Sequence, residues 1–195
     1  MSEKRMIGEY EILASVNVGR HEIILCENPN APADERYLCG YLETNDLFKS
    51  CTGTMVGKDY LDLAELFGQR VQEEAAKFKE ELAKLDVPAT VLSVEDCYSD
   101  RYDKDINGKL IVIDPKSLKP EYRRADRQLY LVTGGFGAYA NARGNAVFCK
   151  NLHTGEAARF ERYDVLGEAK PDRLPDWAKE KLAAHEKKKG KEHER

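Results

Sequence analysis

The sequence lacks the features that mark membrane and secreted proteins. Its 195 residues contain no run of about 18 apolar residues, the length that a membrane-spanning helix needs. Residues 1–6 are charged and lead into no apolar stretch, so we expect no secretory signal peptide. We therefore expect a cytoplasmic protein that makes no membrane contact.

The sequence also lacks the cysteine spacing of disulfide-rich or zinc-binding proteins. Zinc sites usually show two close pairs of ligands, whereas no Cys-x-x-Cys pair occurs here. Asp100, Asp103 and Asp105 do not have the spacing of a calcium-binding loop. We expect no metal, no other cofactor, and reduced thiols packed as small apolar side chains at Cys26, Cys39, Cys51, Cys97 and Cys149.

Short motifs of known catalytic sites are absent too. There is no G-x-S-x-G, no H-E-x-x-H and no P-loop, because Gly134 and Gly137 are not followed by Lys-Ser/Thr. The candidates for acid–base catalysis are His153 and Glu156, since a histidine near a carboxylate titrates close to neutral pH. The four residues His153-Thr154-Gly155-Glu156 are also typical of a hairpin turn, and whether the protein is an enzyme stays open.

The composition is that of a folded protein with an uneven distribution of charge. The chain is 42% hydrophobic and 34% charged, with a mean hydropathy of −0.63, which excludes a fully disordered chain. Residues 1–100 contain 10 Lys and Arg against 20 Asp and Glu, and residues 101–195 contain 21 against 15. From the length we expect a single domain over residues 1–185, followed by a disordered charged tail at 186–195.

Hydrophobic patterning predicts an α+β fold with mainly antiparallel sheets packed on one long amphipathic helix. Four β-prone runs, at 9–16, 21–27, 36–43 and 47–56, are separated by turn residues and predict an antiparallel meander. Apolar residues spaced by three and four predict a helix over 58–85. Later runs predict a strand at 109–114 that lies inside a sheet, further strands at 127–133, 145–150 and 157–163, and a short C-terminal helix from Leu174.

A glycine-rich loop at residues 134–144 is the strongest candidate for a binding site. Glycine allows successive N–H groups to turn inward and form a nest for an anion, and an arginine grips phosphate or carboxylate. Aromatic side chains stack on bases. The residues that we expect to bind nucleic acid or another anion are Gly134, Gly135, Phe136, Gly137, Tyr139, Asn141 and Arg143. The alternative is a hairpin connection whose glycines satisfy turns and bulges.

A second basic group adds to this candidate surface. Arg123, Arg124 and Arg127 lie between two predicted strands. Residues 101–170 contain 13 Lys and Arg against 9 Asp and Glu, a modest excess compared with a dedicated DNA-binding domain. We expect the three arginines either to bind nucleic acid or to be an ordinary solvated surface.

Residues 105–180 resemble a module of mobile genetic elements. Similar modules occur alone or in the large polyvalent proteins of conjugative elements and phages, beside helicase and DNA-methylase domains. The resemblance implies an accessory protein and assigns no catalytic residue. It rests on the runs Leu110–Ile113, Leu118–Arg123, Ala125-Asp126-x-Gln128-Leu129, Thr133–Gly137, Asn141–Gly144, Val147-Phe148-Cys149-x-Asn151-Leu152, Arg162-x-Asp164–Gly167 and Leu174-Pro175-x-Trp177-Ala178.

The resemblance leads to the first of three hypotheses about function, and the residues themselves leave the other two open. The first is a counter-defence protein, such as an anti-CRISPR or anti-restriction protein, whose partner is a nucleic-acid-guided defence nuclease or its guide RNA. The second is a small nucleotide-binding or phosphodiester-processing enzyme that uses the loop at 134–144. The third is an interaction domain without a ligand.

Overall fold

A computed structural model describes residues 4–44, 49–85 and 87–193. The chain divides into two compact units, Met1–Asp86 and Val87–Arg195, where the sequence analysis expected one domain over 1–185. Each unit has its own antiparallel sheet and its own apolar clusters, so the contacts concentrate within the units. Within the described residues, no helix is both long and apolar enough to cross a membrane.

The first unit is a five-stranded antiparallel meander with one long helix. The four expected strands are present, although Leu47 and the joining residues 45–46 lie outside the described part of the chain. A short strand that the sequence analysis did not predict precedes them. The strands follow one another in the sheet as β1 (Met6–Ile7), β2 (Tyr10–Val18), β3 (His21–Glu27), β4 (Tyr37–Thr44) and β5 (Lys49–Gly57).

Both faces of this sheet are covered. Successive side chains of a strand point to opposite faces. On β3, Ile23 and Leu25 pack against the helix, whereas Ile24 and Cys26 join a second cluster. Residues from all five strands pack into that second cluster, so the sheet curls around it: Ile7, Tyr10, Ile12, Ile24, Cys26, Leu38, Leu42 and Cys51.

Helix α1 spans Tyr60–Ala83, as the spacing of apolar residues over 58–85 predicted. Asp59 caps its N-terminus, because the Asp59 carboxylate accepts a hydrogen bond of 2.7 Å from the Leu61 N–H. Leu63 is buried against β3 and β4, and Arg70 donates to the Cys39 carbonyl at 3.0 Å. These contacts attach the predicted apolar stripe to the sheet.

The second unit contains a six-stranded antiparallel sheet. Its order is β10-β9-β8-β7-β11-β6, so β7 lies inside the sheet with all four residues buried, as its continuous apolar run predicted. β6 and β11 were not predicted. The strands are β6 (Cys97–Ser99), β7 (Leu110–Ile113), β8 (Leu129–Gly134), β9 (Ala146–Asn151), β10 (Ala157–Glu161) and β11 (Val165–Ala169).

Two helices belong to this unit, α2 (Ala125–Gln128) and α3 (Asp176–His193). Ala178 of α3 is buried against the sheet face that Leu110, Val112 and Leu129 form. α3 runs through residues 186–193, which the sequence analysis placed in a disordered tail; residues 194–195 lie outside the described part. Residues 186–193 are mainly Lys and Glu, which are good helix formers, and they contain no proline. The helix that begins at Asp176 can therefore continue through them.

Candidate functional site

The glycines of the 134–144 loop allow close backbone packing. A Cβ on Gly135, whose φ is 100°, would lie 2.3 Å from the Ala146 carbonyl oxygen. A Cβ on Gly137 would lie 2.3 Å from the Asn145 carbonyl oxygen. Since such approaches exclude any side chain, these two glycines serve the packing of the loop on the start of β9.

Three backbone N–H groups of this loop donate to carbonyls of the chain. Ala138 donates to the Gly135 carbonyl at 3.1 Å, and Tyr139 donates to the Phe136 carbonyl at 3.4 Å. Asn141, the residue with φ of 53°, donates to the Tyr102 carbonyl at 2.7 Å. In this conformation these three donors are used within the chain, so a backbone nest for an anion does not include them.

Arg162 ties the loop to two other segments. Its side chain is 1% exposed and binds both carboxylate oxygens of Asp100 at 2.7 Å. The same guanidinium donates to the carbonyl of Gly137 at 2.6 Å and to that of Lys104 at 2.9 Å. The Arg162 backbone N–H donates to the Asn145 carbonyl at 2.7 Å. Segments 100–104, 136–145 and 162–163 are therefore held together by one buried arginine.

These three segments expose aromatic and basic side chains, which we call the loop surface. Phe136 is 78% exposed, Tyr163 is 66% exposed, and Tyr102 and Tyr139 are each 50% exposed. Large apolar side chains at this exposure usually mark an interaction surface when several occur together. The exposed cations of the same segments are Arg101, Lys104 and Arg143.

The three arginines at 123–127 are bound to other parts of the protein. Arg124 lies 3.0 Å from the buried carboxylate of Asp126 and donates to the Val87 carbonyl at 2.9 Å. The Arg127 guanidinium lies over the Tyr122 ring, 5.3 Å from its centroid, and 3.8 Å from the Asp126 carboxylate. Arg123 is exposed and donates to the Leu118 carbonyl at 3.2 Å. Two of the three thus neutralise a buried aspartate and leave a smaller basic surface than the sequence suggests.

His153 and Glu156 lie in the turn between β9 and β10. The Asn151 side chain accepts from the His153 N–H at 2.8 Å and so shapes the turn. The His153 ring packs edge-to-face on Trp177 with centroids 5.4 Å apart, and its Nδ1 is buried without a partner among the described residues. Glu156 accepts from the Thr154 hydroxyl at 3.2 Å and lies 3.9 Å from Arg127. No hydrogen bond between His153 and Glu156 is present in the described part of the chain.

We expect His153 to make the second unit sensitive to acid. Burial lowers the pKa of His153 below its usual value, and the nearby Lys181 ammonium lowers it further. The unfolded chain then binds a proton near pH 6.5 that the folded chain resists, so the free energy of unfolding decreases as the pH falls below 6.5. His153→Phe keeps the ring contact and removes the proton site. The variant should therefore lose less stability than the unchanged protein between pH 7 and pH 5.

Urea denaturation followed by the fluorescence of Trp177 tests this expectation. Trp177 is the one tryptophan of the chain and lies in the second unit, so its signal reports that unit. Equal pH dependence in both proteins would show that the His153 ring is not the group responsible.

A cleft below α3 was not foreseen from the sequence. It has a volume of about 710 Å³ and lies where the middle of α3 passes over β8 and β9. No pattern along the sequence could reveal it, because its walls come from four separate segments. The lining residues are Asn107, Gly108, Leu131, Val132, Thr133, Lys150, Asn151, Leu152, Gly155, Lys181, Ala184 and His185.

Two buried cysteines are poor candidates for reactive residues. Burial raises the pKa of the Cys26 and Cys149 thiols to about 12, so these thiols are neutral at physiological pH and poor nucleophiles. In the residues that the structure describes, no group of three or more His, Cys, Asp or Glu side chains is placed to hold a metal ion.

Comparison of the chain with protein-family models, with curated proteins and with solved structures found no match in any of the three. The function is therefore argued from the chemistry of the loop surface and the cleft.

Proposed function

We propose that the second unit binds single-stranded nucleic acid through the loop surface. The observation that supports this most directly is the exposure of four aromatic rings, led by Phe136 at 78%, next to the exposed cation of Arg143. Proteins that bind single strands combine aromatic side chains, on which bases stack, with cations that contact the backbone phosphates. The loop surface has both kinds of group.

The fixed position of these rings favours such binding. The buried guanidinium of Arg162 holds the three segments together, so the rings are presented by an ordered backbone. Binding to a preorganised surface costs less conformational entropy than binding to a loop that must first become ordered. Arg162 is thus a positioning residue for Phe136, Tyr139 and Tyr102.

The charge of the unit indicates which forces would dominate. Counted by units, Val87–Arg195 contains 21 Lys and Arg against 18 Asp and Glu, so its net charge is +3. This net charge is smaller than the net charge of residues 101–195, because the unit also includes the acids Glu95, Asp96 and Asp100. A weakly positive unit attracts nucleic acid only slightly at long range, so we expect stacking to supply most of the affinity and the salt dependence to be shallow.

The setting that we propose is counter-defence by an accessory protein of a mobile element. Its target would be the guide RNA of a defence nuclease, which is the single-stranded nucleic acid that such a protein has to reach. This setting rests on the resemblance of residues 105–180 and not on the geometry. The enzyme alternative has less support, since the backbone donors at 138, 139 and 141 are already bonded within the chain.

Fluorescence anisotropy with labelled single-stranded RNA tests the binding. Phe136→Ala should weaken it by about 1–3 kcal/mol, roughly 5- to 100-fold in Kd, because one stacked base loses its platform. Arg143→Gln should reduce the salt slope by about 0.7, the amount expected for one phosphate contact on a single strand. Phe136 and Arg143 are both exposed, so neither change should affect folding.

Matched controls come from the first unit. Tyr60→Ala removes an aromatic ring that is 44% exposed, and Arg20→Gln removes an exposed cation; neither should change RNA binding. Absence of binding at low salt would contradict the nucleic-acid proposal and leave a protein partner. If RNA binds but a guide-loaded nuclease neither captures the protein nor changes activity, the binding stands and the counter-defence setting is wrong.

A further inference from the structure

We propose that the cleft below α3 is a second binding site, and that its ligand is a medium-chain alkyl carboxylate or an organic anion of the same build. The volume of about 710 Å³ lies in the range of small-molecule sites, about 300–1,000 Å³. The site is separate from the loop surface, since none of its lining residues belongs to segments 100–104, 136–145 or 162–163.

The floor of the cleft is apolar. Leu131 and Leu152 reach the cleft from the cluster that packs below α3, and Ala184 faces them from the helix. An alkyl chain placed on this floor would leave water on contact with three aliphatic side chains. Each buried CH₂ group is worth roughly a fourfold change in Kd.

The charged groups around the floor all have one sign. Lys150 and Lys181 line the cleft together with His185, and none of the described lining residues is an Asp or Glu. Lys150 lies directly opposite Leu131 on the neighbouring strand, so a cation and an apolar side chain stand side by side on one face of the sheet. Lys150 is exposed, and no ion pair joins it to an acid in the described part of the chain.

The helix positions the second cation. Lys181, Ala184 and His185 are spaced by three and four residues, which places them on one side of α3. The Lys181 ammonium donates to the His153 carbonyl at 2.6 Å, and this contact holds it against the β9–β10 turn. An ammonium has three donors, so two remain for a ligand. A carboxylate between Lys150 and Lys181 would be paired, with its chain over Leu131 and Leu152.

The arrangement favours this ligand over a nucleic acid strand or a neutral molecule. A neutral molecule of the same shape would form no ion pair with either ammonium group. A nucleic acid strand needs stacking platforms, and the described lining residues of the cleft include no Phe, Tyr or Trp.

Isothermal titration calorimetry with decanoate tests the proposal on the full chain. Decanoate should bind saturably, and decanamide, which has the same chain without the charge, should bind about 10- to 100-fold more weakly. Shortening the acid by one CH₂ at a time should weaken binding roughly fourfold per step. Equal affinity for decanoate and decanamide would show that the two lysines do not bind the carboxylate. An affinity that does not change with chain length would show that the apolar floor does not bind the alkyl chain.

Variants locate the site. Lys150→Gln should weaken decanoate binding about 10- to 100-fold, whereas Lys104→Gln, an exposed lysine of the loop surface, should leave it unchanged. Ala184→Trp should fill the cleft and abolish binding, and Glu180→Trp places the same ring at an exposed position of α3 outside the cleft. Circular dichroism checks that both tryptophan variants fold.

Competition separates this site from the proposed RNA site. Decanoate should not displace RNA, and Phe136→Ala should not affect decanoate. If RNA displaces decanoate, the cleft is part of the nucleic-acid surface and the second site does not exist.

Discussion

Replacing Arg162 with methionine is expected to lower the free energy of unfolding of the second unit by about 3–5 kcal/mol, the cost of removing one partner from a buried ion pair. The Asp100 carboxylate would keep its charge in a site where its side chain is 9% exposed. The carbonyls of Gly137 and Lys104 would lose a charged donor as well. The expected loss of stability thus comes mainly from the Asp100 carboxylate and the two carbonyls that lose their partner when Arg162 is replaced.

Thermal unfolding followed by Trp177 fluorescence measures this effect. A loss of 3 kcal/mol lowers the Tm of a domain of this size by at least about 10 °C. Arg159→Met is the matched control, because Arg159 is exposed and pairs with Glu161 on the surface; it should change the free energy by less than about 1 kcal/mol. The double variant Arg162→Met/Asp100→Asn should recover part of the loss, since the unpaired charge is gone. If the single variants at 162 and 159 were equally stable, the buried pair would not be holding the three segments.

The Arg162→Met variant also connects stability to the proposed function. At a temperature where the variant is still folded, its RNA affinity should fall, because the segments that present Phe136 and Tyr139 are no longer tied to Asp100. Arg162 itself is buried and does not reach the RNA, so its effect would be positional. An unchanged RNA affinity would show that the rings do not depend on this arginine.

Elements with a strong local pattern were predictable from the sequence. Helix α1 has an apolar stripe several turns long, and β7 is a continuous apolar run ended by Pro115, so both follow from local patterning. β6 and β11 are short and carry no such pattern. A Cβ on Gly167 of β11 would lie 1.8 Å from the Tyr98 carbonyl oxygen, so their pairing depends on a close approach that only the folded chain defines.

The candidate site was predictable only in part, for the same reason. Phe136, Tyr139 and Arg143 were expected at the surface of a glycine-rich loop, and the structure exposes them. Arg162 binds Asp100, which lies 62 residues earlier, and Arg124 donates to the Val87 carbonyl, which lies 37 residues earlier. Neighbouring residues in the sequence therefore could not indicate that these two arginines are bound within the protein. The cleft is formed by residues of α3, β8, β9 and two connecting segments that are distant in the sequence, so no local pattern could indicate it.

The division into two units changes the interpretation of the charge asymmetry. With the boundary at Asp86, the first unit contains 10 Lys and Arg against 17 Asp and Glu, a net charge of −7 in place of the −10 of residues 1–100. Several of these acids have local partners: Glu74 binds Lys77 at 2.7 Å and His21 at 2.8 Å, and Glu27 binds Arg36 at 2.8 Å. These pairs neutralise part of the negative charge of the unit.

Replacing Gln128 with leucine should destabilise the second unit by at least about 3 kcal/mol, although the two side chains are similar in size. Gln128 is fully buried, and its amide makes three hydrogen bonds to backbone groups. The carbonyl oxygen accepts from the Leu92 N–H at 2.8 Å, and the amide nitrogen donates to the carbonyls of Leu92 and Ile113, each at 3.0 Å. Leucine would leave one donor and two acceptors buried without partners, and each such group costs about 1–3 kcal/mol.

Two measurements separate this cause from a general packing defect. Hydrogen exchange should show the Leu92 amide losing its protection while the β7 amides keep theirs under conditions where the variant remains folded, because Gln128 is the acceptor for Leu92 alone. Gln69→Leu is the matched control: Gln69 lies on the exposed side of α1, and its substitution should leave the Trp177 transition in place. A Gln128→Leu variant as stable as the unchanged protein would mean that residues 87–93 pack onto the sheet without the amide. Loss of protection throughout β7 would instead show that Gln128 stabilises the sheet itself, through its hydrogen bond to the Ile113 carbonyl.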